Sequence, residues 1–282
     1  MIKNQIKTVL LLGVLTSILL VIGGFFGRNG LMFAGIFVVL MNIGSYWFSD
    51  KLVLAMYRAK EVKENQEPRL YRIVKKVKDK AKVPMPKIYI IPTESPNAFA
   101  TGRNPKHAAV AATQGILELL NDEELEGVIA HEIAHVKNRD ILIQTVAGTI
   151  AGVISYVAFM ARWAAIFGGY GRNSEGGGNM LELLALAVLA PITATIIQLA
   201  ISRSREFIAD ETGAKIVHNS KGLASALEKL HSNVKHNPIR FGNQATENIF
   251  IVNPFTGRNF MNLFSTHPNV EERIKKLKEL NL

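Results

Sequence analysis

The sequence predicts a mainly helical α+β protein that several helices anchor in a membrane. Three observations support this fold class: four long apolar stretches, a metal-ligand motif in a helical pattern, and three short strand-like segments. At 282 residues the chain is long enough for one or two domains with a proper core. Because it has no cysteine, disulfides, thiolate metal sites and a cysteine nucleophile are excluded.

Four apolar stretches are candidates for membrane spans, each free of charged side chains and near the length that crosses a bilayer. They are residues 9–26, 31–48, 141–161 and 183–201. The alternative for the first stretch is a signal peptide, but no small-x-small cleavage site follows it. We therefore expect a transmembrane hairpin in residues 1–49 and a second hairpin in residues 141–201, which either crosses the bilayer fully or is partly buried in it.

The basic residues predict how the chain is oriented. Of the 33 lysines and arginines, 30 lie before the first span or in the polar segments 50–140 and 202–282. The positive-inside rule then places both termini and both polar segments in the cytoplasm. The net charge of +10 fits segments beside an anionic leaflet, whereas no recognition motif supports nucleic-acid binding.

The polar segment 50–140 predicts a charged helix, then a sheet, then a second helix. Residues 51–82 keep apolar side chains at helical spacing, and Pro84 and Pro86 follow them. Strand patterns come next, at residues 87–92, 97–102 and 107–113. We expect these strands to form a small antiparallel sheet. Asn121 and the acidic residues after it predict the start of the second helix.

This second helix carries the pentad His131-Glu132-Ile133-Ala134-His135, an H-E-x-x-H motif. Residues four apart share a helix face, so His131 and His135 could bind one metal ion. Glu132 could then take a proton from a water molecule at the metal, as a zinc hydrolase requires. The alternative is a surface helix that carries two histidines by chance.

A catalytic zinc site needs a third protein ligand, and the candidate follows the fourth apolar stretch. Glu206 and Asp210 are four residues apart on the expected cytoplasmic continuation of that helix. Glu206 could complete the metal site while Asp210 holds a ligand histidine in place. The alternative is an exposed, charged helix end beside the membrane.

These motifs resemble the HtpX group of the M48 metallopeptidases, relatives of the CAAX prenyl proteases. The matching blocks are residues 97–102, 131–140, 202–210 and 265–274. The resemblance implies a gluzincin-type zinc peptidase domain divided between residues 50–140 and 202–282. It also implies one Zn²⁺ per chain, bound by His131, His135 and Glu206, with Glu132 as general base.

The resemblance further implies a place in membrane-protein quality control and the stress response. The expected substrates are polypeptides, chiefly misfolded or damaged membrane proteins, cleaved at the cytoplasmic face of the bacterial plasma (inner) membrane. Two other functions compete with this reading: a non-catalytic zinc-binding membrane scaffold, and a small transporter. Glu132 argues against the scaffold, because structural zinc needs no general base. Only Arg162 and Glu182 lie near the spans, which disfavours a transporter.

Other residues acquire expected roles within that resemblance. His267 precedes a helix that begins at Pro268 and could donate a hydrogen bond to the oxyanion, although a capping or surface histidine is the alternative. One further segment could pair as an edge strand with an extended substrate, or be an ordinary core strand: Asn97, Ala98, Phe99 and Ala100. We expect Arg205 and Arg273 to pair with carboxylates around the site, without being able to name the partners.

Overall fold

The structure is a computed structural model that describes residues 27–142, 203–236 and 268–282, together with single positions between residues 13 and 24. It begins with the long helix α1, Gly27–Met56. The predicted spans 141–161 and 183–201 lie outside the described residues apart from positions 141 and 142, as does most of the stretch 9–26. Among the helices that the structure does describe, none is long and apolar enough to cross a membrane.

Four strands form one mixed sheet in the order β1-β2-β4-β3. The strands are β1 (Lys60–Glu61), β2 (Lys87–Ile91), β3 (Ala98–Gly102) and β4 (Ala108–Thr113). β1 pairs with β2 and β3 pairs with β4 in antiparallel fashion, and Ala100 lies opposite Val110. β2 and β4 are parallel, with Tyr89 opposite Ala111.

The expected antiparallel sheet is therefore wrong for one strand pair. The chain leaves β2, crosses to the far edge to form β3, and returns as β4 between them, so β2 and β4 run in the same direction. All six residues of β4 are buried, as a central strand requires. Strand patterns identify the segments, but which strands become neighbours depends on what covers each face.

Residues 51–82 do not form the single helix that their spacing predicts. α1 ends at Met56, and Arg58 takes a left-handed conformation with φ of 52°. The next helix, α2 (Pro68–Ala81), begins with proline at its first turn, where the missing N–H costs nothing. Lys82, with φ of 58°, ends α2 before Pro84 is reached. Local backbone reversals thus divide a stretch whose side-chain pattern is helical throughout.

The motif helix is confirmed as α4 (Asp122–Asn138), preceded by the short helix α3 (Gln114–Leu119). Asn121 caps α4: its side chain accepts from the Glu124 N–H, and the Glu124 carboxylate accepts from the Asn121 N–H. The apolar face named by the sequence is completely buried. It consists of Leu125, Val128, Ile129 and Ile133.

Three further helices complete the described fold: α5 (Arg203–Val217), α6 (Lys221–His236) and α7 (Val270–Glu279). α4 packs against α2, α5, α6 and β3, and α7 packs against α5 and α6. The main core therefore surrounds α4, which holds the H-E-x-x-H residues rigidly on a buried element.

Candidate metal centre

His131, His135 and Glu206 meet in the interior, between α4 and α5. Each is at most 3% exposed. His131 Nε2 lies 3.5 Å from Glu206 Oε2, and His135 Nε2 lies 3.6 Å from Glu206 Oε1. The two Nε2 atoms are 3.1 Å apart. One potential ligand atom from each residue thus faces a common point, although Glu206 is 71 positions after His135 in sequence.

The arrangement fits a tetrahedral metal ion. Three protein atoms bound to one zinc at 2.0–2.1 Å lie about 3.4 Å apart when the geometry is tetrahedral. The two Nε2 atoms are 3.1 Å apart, and each lies 3.5–3.6 Å from its nearer Glu206 oxygen, so all three distances are close to that value. Such a triangle leaves the fourth position open, as catalytic zinc sites do.

A carboxylate contacts the far ring nitrogen of each histidine. His131 Nδ1 lies 2.9 Å from Asp210 Oδ1, and His135 Nδ1 lies 3.1 Å from Asp140 Oδ2. These carboxylates favour a proton on Nδ1, which leaves Nε2 of each ring as the atom that can bind a metal.

The charge of the surroundings also fits a divalent cation. Four carboxylates and two guanidinium groups are buried around the histidines in the described part of the chain. They belong to Glu132, Asp140, Glu206, Asp210, Arg205 and Arg273. With all of them ionised and both histidines neutral, the site carries an excess of two negative charges, which one divalent cation would balance.

The histidine pKa values report the same negative potential. Burial alone would lower the pKa of His135, but the carboxylates of Asp140, Glu206 and Glu132 outweigh it and raise that pKa to about 10. Burial would also lower the pKa of His131, but Asp210 and Glu206 outweigh burial and raise that pKa. An environment that holds a proton this firmly also attracts a metal cation.

Arg273 supports the site from α7. Its guanidinium is completely buried and donates to both oxygens of Asp210, from Nε at 2.8 Å and from Nη2 at 2.7 Å. Burial would raise the pKa of Asp210, but the charge of Arg273 outweighs burial and lowers it to about 2. Asp210 is therefore the carboxylate partner that the sequence could not name for Arg273.

The Glu132 carboxylate contacts the edge of the sheet, whereas Asp140 and Asp210 contact the two histidines. Its Oε2 accepts a hydrogen bond of 2.7 Å from the Ala100 N–H. Burial is the largest influence on Glu132 and raises the pKa of its carboxyl group. A carboxylate with a raised pKa is suited to accept and return a proton near neutral pH.

β3 forms one edge of the described sheet, and its residues divide into two sets. The N–H and C=O groups of Asn97 both bond to Thr113, at 2.8 Å and 2.9 Å. Phe99 packs against Tyr57, with ring centroids 5.5 Å apart. Since backbone groups alternate between the two edges of a strand, Ala98 shares the outer edge with Ala100. Only these two of the four predicted substrate-binding residues direct their backbone outward.

Two further residues belong to the comparison with the predicted site. His267 lies outside the described residues, and its proposed role is not addressed by the structure. Asp140 has no predicted role, although it ends the matching block 131–140, and the structure places its carboxylate against His135. Its position five residues after His135, just beyond the end of α4, is a signal that sequence reasoning could have used.

Comparisons with known proteins place these residues in a family context. The profile of peptidase family M48 matches residues 64–281. A protein named Protease HtpX homolog from Syntrophobacter fumaroxidans is 52% identical over 281 residues, which cover 98% of this chain and 99% of that protein. A relative of the same name from Thermococcus kodakarensis is 51% identical over 276 residues, covering 98% of this chain and 95% of the relative.

A solved structure shares the fold. The crystal structure of S. mikatae Ste24p is similar with a TM-score of 0.52 and 17% sequence identity. The match covers 98% of this chain and 66% of that protein's chain, so this chain spans about two thirds of its length. The two relatives that are 51–52% identical, by contrast, match over nearly their whole length.

Proposed function

Since the chain belongs to peptidase family M48, we propose that it is a membrane-anchored zinc endopeptidase that cleaves misfolded or damaged membrane proteins at the cytoplasmic face. Membership makes the chain a metalloprotease, a hydrolase of peptide bonds. The observation that carries the proposal is the buried triangle of His131, His135 and Glu206 beside Glu132. When bound, zinc would polarise the scissile carbonyl and a water molecule.

Glu132 is the general base in this proposal. Its Oε atoms take the proton from the attacking water and later deliver it to the leaving amine. The raised pKa of its carboxyl group favours the first transfer, because a stronger base takes the proton of the water molecule more readily. The hydrogen bond from the Ala100 N–H keeps the carboxylate aimed at the space next to the sheet edge.

The outer edge of β3 positions the substrate. An extended peptide can add to this edge as a strand at Ala100, which is partly exposed and whose carbonyl lies on the outer edge, whereas Ala98 is completely buried. The Ala100 N–H already bonds Glu132, so the substrate lies against the strand that orients the base. His267 completes the proposal as the donor to the oxyanion of the tetrahedral intermediate.

Membrane anchoring and the cytoplasmic face rest on the four apolar stretches and on the basic residues around them. α1 adds support, since many of its large apolar side chains are 44–67% exposed. Such a surface is costly in water and favourable in lipid. Cleavage in inside-out but not in sealed right-side-out membrane vesicles is the result expected for a cytoplasmic site.

The decisive experiment compares Glu132→Gln with the unaltered chain in detergent. We expect proteolysis of an unfolded membrane protein to fall about 10²–10⁴-fold while zinc content stays at one per chain. Glu118→Gln is the matched control, because Glu118 is an exposed carboxylate on α3, and it should change neither value. Full proteolysis by Glu132→Gln would exclude the mechanism. Zinc without proteolysis in any variant would favour a scaffold.

A further inference from the structure

A basic and aromatic cavity of about 450 Å³ opens at the C-terminal end of α1. Four cationic side chains line it, from Lys51, Lys87, Arg103 and Lys106. One carboxylate lines it as well, that of Asp50, and this group accepts a hydrogen bond of 2.8 Å from the Lys51 N–H. The cavity therefore carries a strong excess of positive charge outside the metal centre.

Most of this positive charge is not balanced by neighbouring carboxylates. Lys87 is 3.0 Å from Glu61, whose carboxylate also accepts from the Tyr89 hydroxyl. Within the described ranges, no carboxylate lies within ion-pair distance of Lys51, Arg103 or Lys106. Three cations gathered in one cavity repel each other, and an anion bound between them would relieve that repulsion.

Aromatic rings form the wall of the cavity that adjoins α1. The Arg103 guanidinium lies over the Trp47 ring, 4.4 Å from its centroid, and Lys51 Nζ lies 5.5 Å from the Phe48 centroid. Both rings are about half exposed. Stacking on Trp47 thus holds the Arg103 guanidinium in place. This planar group presents N–H donors in a geometry that suits bidentate binding of a phosphate.

The aromatic wall continues into the exposed apolar surface of α1. Large apolar side chains more than 40% exposed precede Trp47 along this helix. They are Leu31, Met32, Phe33, Ile36, Phe37, Val39 and Leu40. A ligand with an anionic head and apolar tails matches a basic cavity next to an apolar helix surface. Trp47 lies at the boundary between the two surfaces.

We propose that this cavity binds the phosphate of an anionic phospholipid, whose acyl chains lie along α1. The cations of Lys51, Arg103 and Lys106 bind the headgroup, and Trp47 and Phe48 lie at the level of the glycerol. Basic pockets beside membrane helices recognise anionic headgroups through the same chemistry. The proposal rests on the membrane location given under the proposed function, and it adds a specific lipid class and the residues that recognise it.

The test uses the full chain in neutral detergent and measures bound phosphatidylglycerol and phosphatidylcholine by native mass spectrometry. We expect Arg103→Gln/Lys106→Gln to weaken phosphatidylglycerol binding about 30-fold and to leave phosphatidylcholine binding unchanged. The control Lys75→Gln/Lys221→Gln removes two exposed lysines from α2 and α6, and should alter the affinity less than twofold. Equal loss in both double variants, or no loss in either, would overturn the proposal.

A second arm separates a lipid from soluble phosphate. Inorganic phosphate is titrated against bound phosphatidylglycerol, and we expect no displacement at millimolar concentration because the acyl chains add apolar contacts along α1. Trp47→Ala should weaken phosphatidylglycerol binding without creating phosphate binding. Displacement of the lipid by inorganic phosphate at similar affinity would identify a soluble-anion site and contradict the lipid assignment.

Failure of this proposal can be distinguished from failure of the proposed function. Lipid binding is measured in detergent, whereas membrane anchoring is tested by flotation with vesicles and the peptidase by substrate cleavage. Arg103→Gln/Lys106→Gln should keep zinc content and cleavage in detergent. Should Arg103→Gln disturb folding, Lys51→Gln/Lys106→Gln alters two exposed side chains and must reduce phosphatidylglycerol binding for the proposal to stand.

Discussion

At the scale of single residues, the histidines of the candidate metal centre are held by side chains outside the group of His131, His135 and Glu206. Asp210 contacts the Nδ1 atom of His131, and Asp140 contacts the Nδ1 atom of His135. Asp210 in turn accepts two hydrogen bonds from the buried Arg273. This chain of contacts fixes the ring of His131 through a residue of α7. Asp140 has no such bidentate partner among the described residues, so its removal disturbs fewer contacts.

Asp140→Asn tests how far a supporting carboxylate controls metal affinity. The amide cannot stabilise the proton on His135 Nδ1 as the carboxylate does, so the ring becomes a weaker ligand. We expect the dissociation constant for zinc to rise about 10–100-fold. Competition with a chromophoric chelator measures this change. Asp79→Asn, on an exposed side chain of α2, is the control and should bind zinc like the unaltered chain. Unchanged affinity in Asp140→Asn would show that Asp140 does not orient the ligand.

At the scale of elements, glycines set how closely α5 and α6 approach α4. A Cβ at Gly213 would lie 2.9 Å from the backbone of Ala130 and His131, which is closer than real Cβ contacts. A Cβ at Gly127 would lie 2.5 Å from the Leu223 nitrogen. The absence of side chains at these positions lets α5 bring Glu206 within reach of two histidines on α4.

We therefore expect Gly213→Ala to lower stability, although replacing glycine by alanine in a helix usually raises it. In an unconstrained helix, alanine stabilises by up to about 1 kcal/mol relative to glycine. Here the added methyl group must displace α5, and we expect a loss of about 1–3 kcal/mol in the free energy of unfolding together with weaker zinc binding. Gly35→Ala on α1 is the control, since a Cβ there has no atom within 4 Å. Chemical denaturation and zinc titration measure both effects. A more stable Gly213→Ala would mean that the two helices are not in close contact.

The element scale also shows where sequence patterns are reliable. The capping box at Asn121 and Glu124 predicts the start of α4 correctly, because capping involves only residues three apart. The helix expected over residues 51–82 fails, because a left-handed Arg58 interrupts it. The orientation of β2 against β4 fails as well, because it depends on which strand occupies the centre of the sheet.

At the scale of the whole molecule, the metal would link parts of the chain that are distant in sequence. Two ligands lie on α4, the third lies on α5, and Arg273 on α7 holds the carboxylate beside His131. A metal that binds only this assembled arrangement stabilises the folded state over the unfolded one. Without it, the charge of the four buried carboxylates is balanced only by two guanidinium groups and by protonation of the histidines.

Metal removal should consequently lower global stability, beyond its effect on catalysis. With free zinc at 100-fold its dissociation constant, linkage contributes about 2.7 kcal/mol to the free energy of unfolding. We expect a chelator to lower the midpoint of thermal unfolding and zinc to restore it. Glu132→Gln should keep this response, since Glu132 supplies no ligand, whereas His135→Ala should lose it. Circular dichroism during heating gives the midpoint, and equal midpoints with and without chelator would contradict the linkage.

The sequence by itself determined the motif helix, its cap, its buried face, and the residue types suited to a metal, because each depends on spacings of three to five positions. Only the tertiary structure decided that Glu206 joins His131 and His135, that Arg273 pairs with Asp210, and that β3 lies at the sheet edge beside Glu132. These contacts join segments tens of residues apart. Helix packing and strand order establish these contacts, and neither can be predicted from a local pattern of side chains.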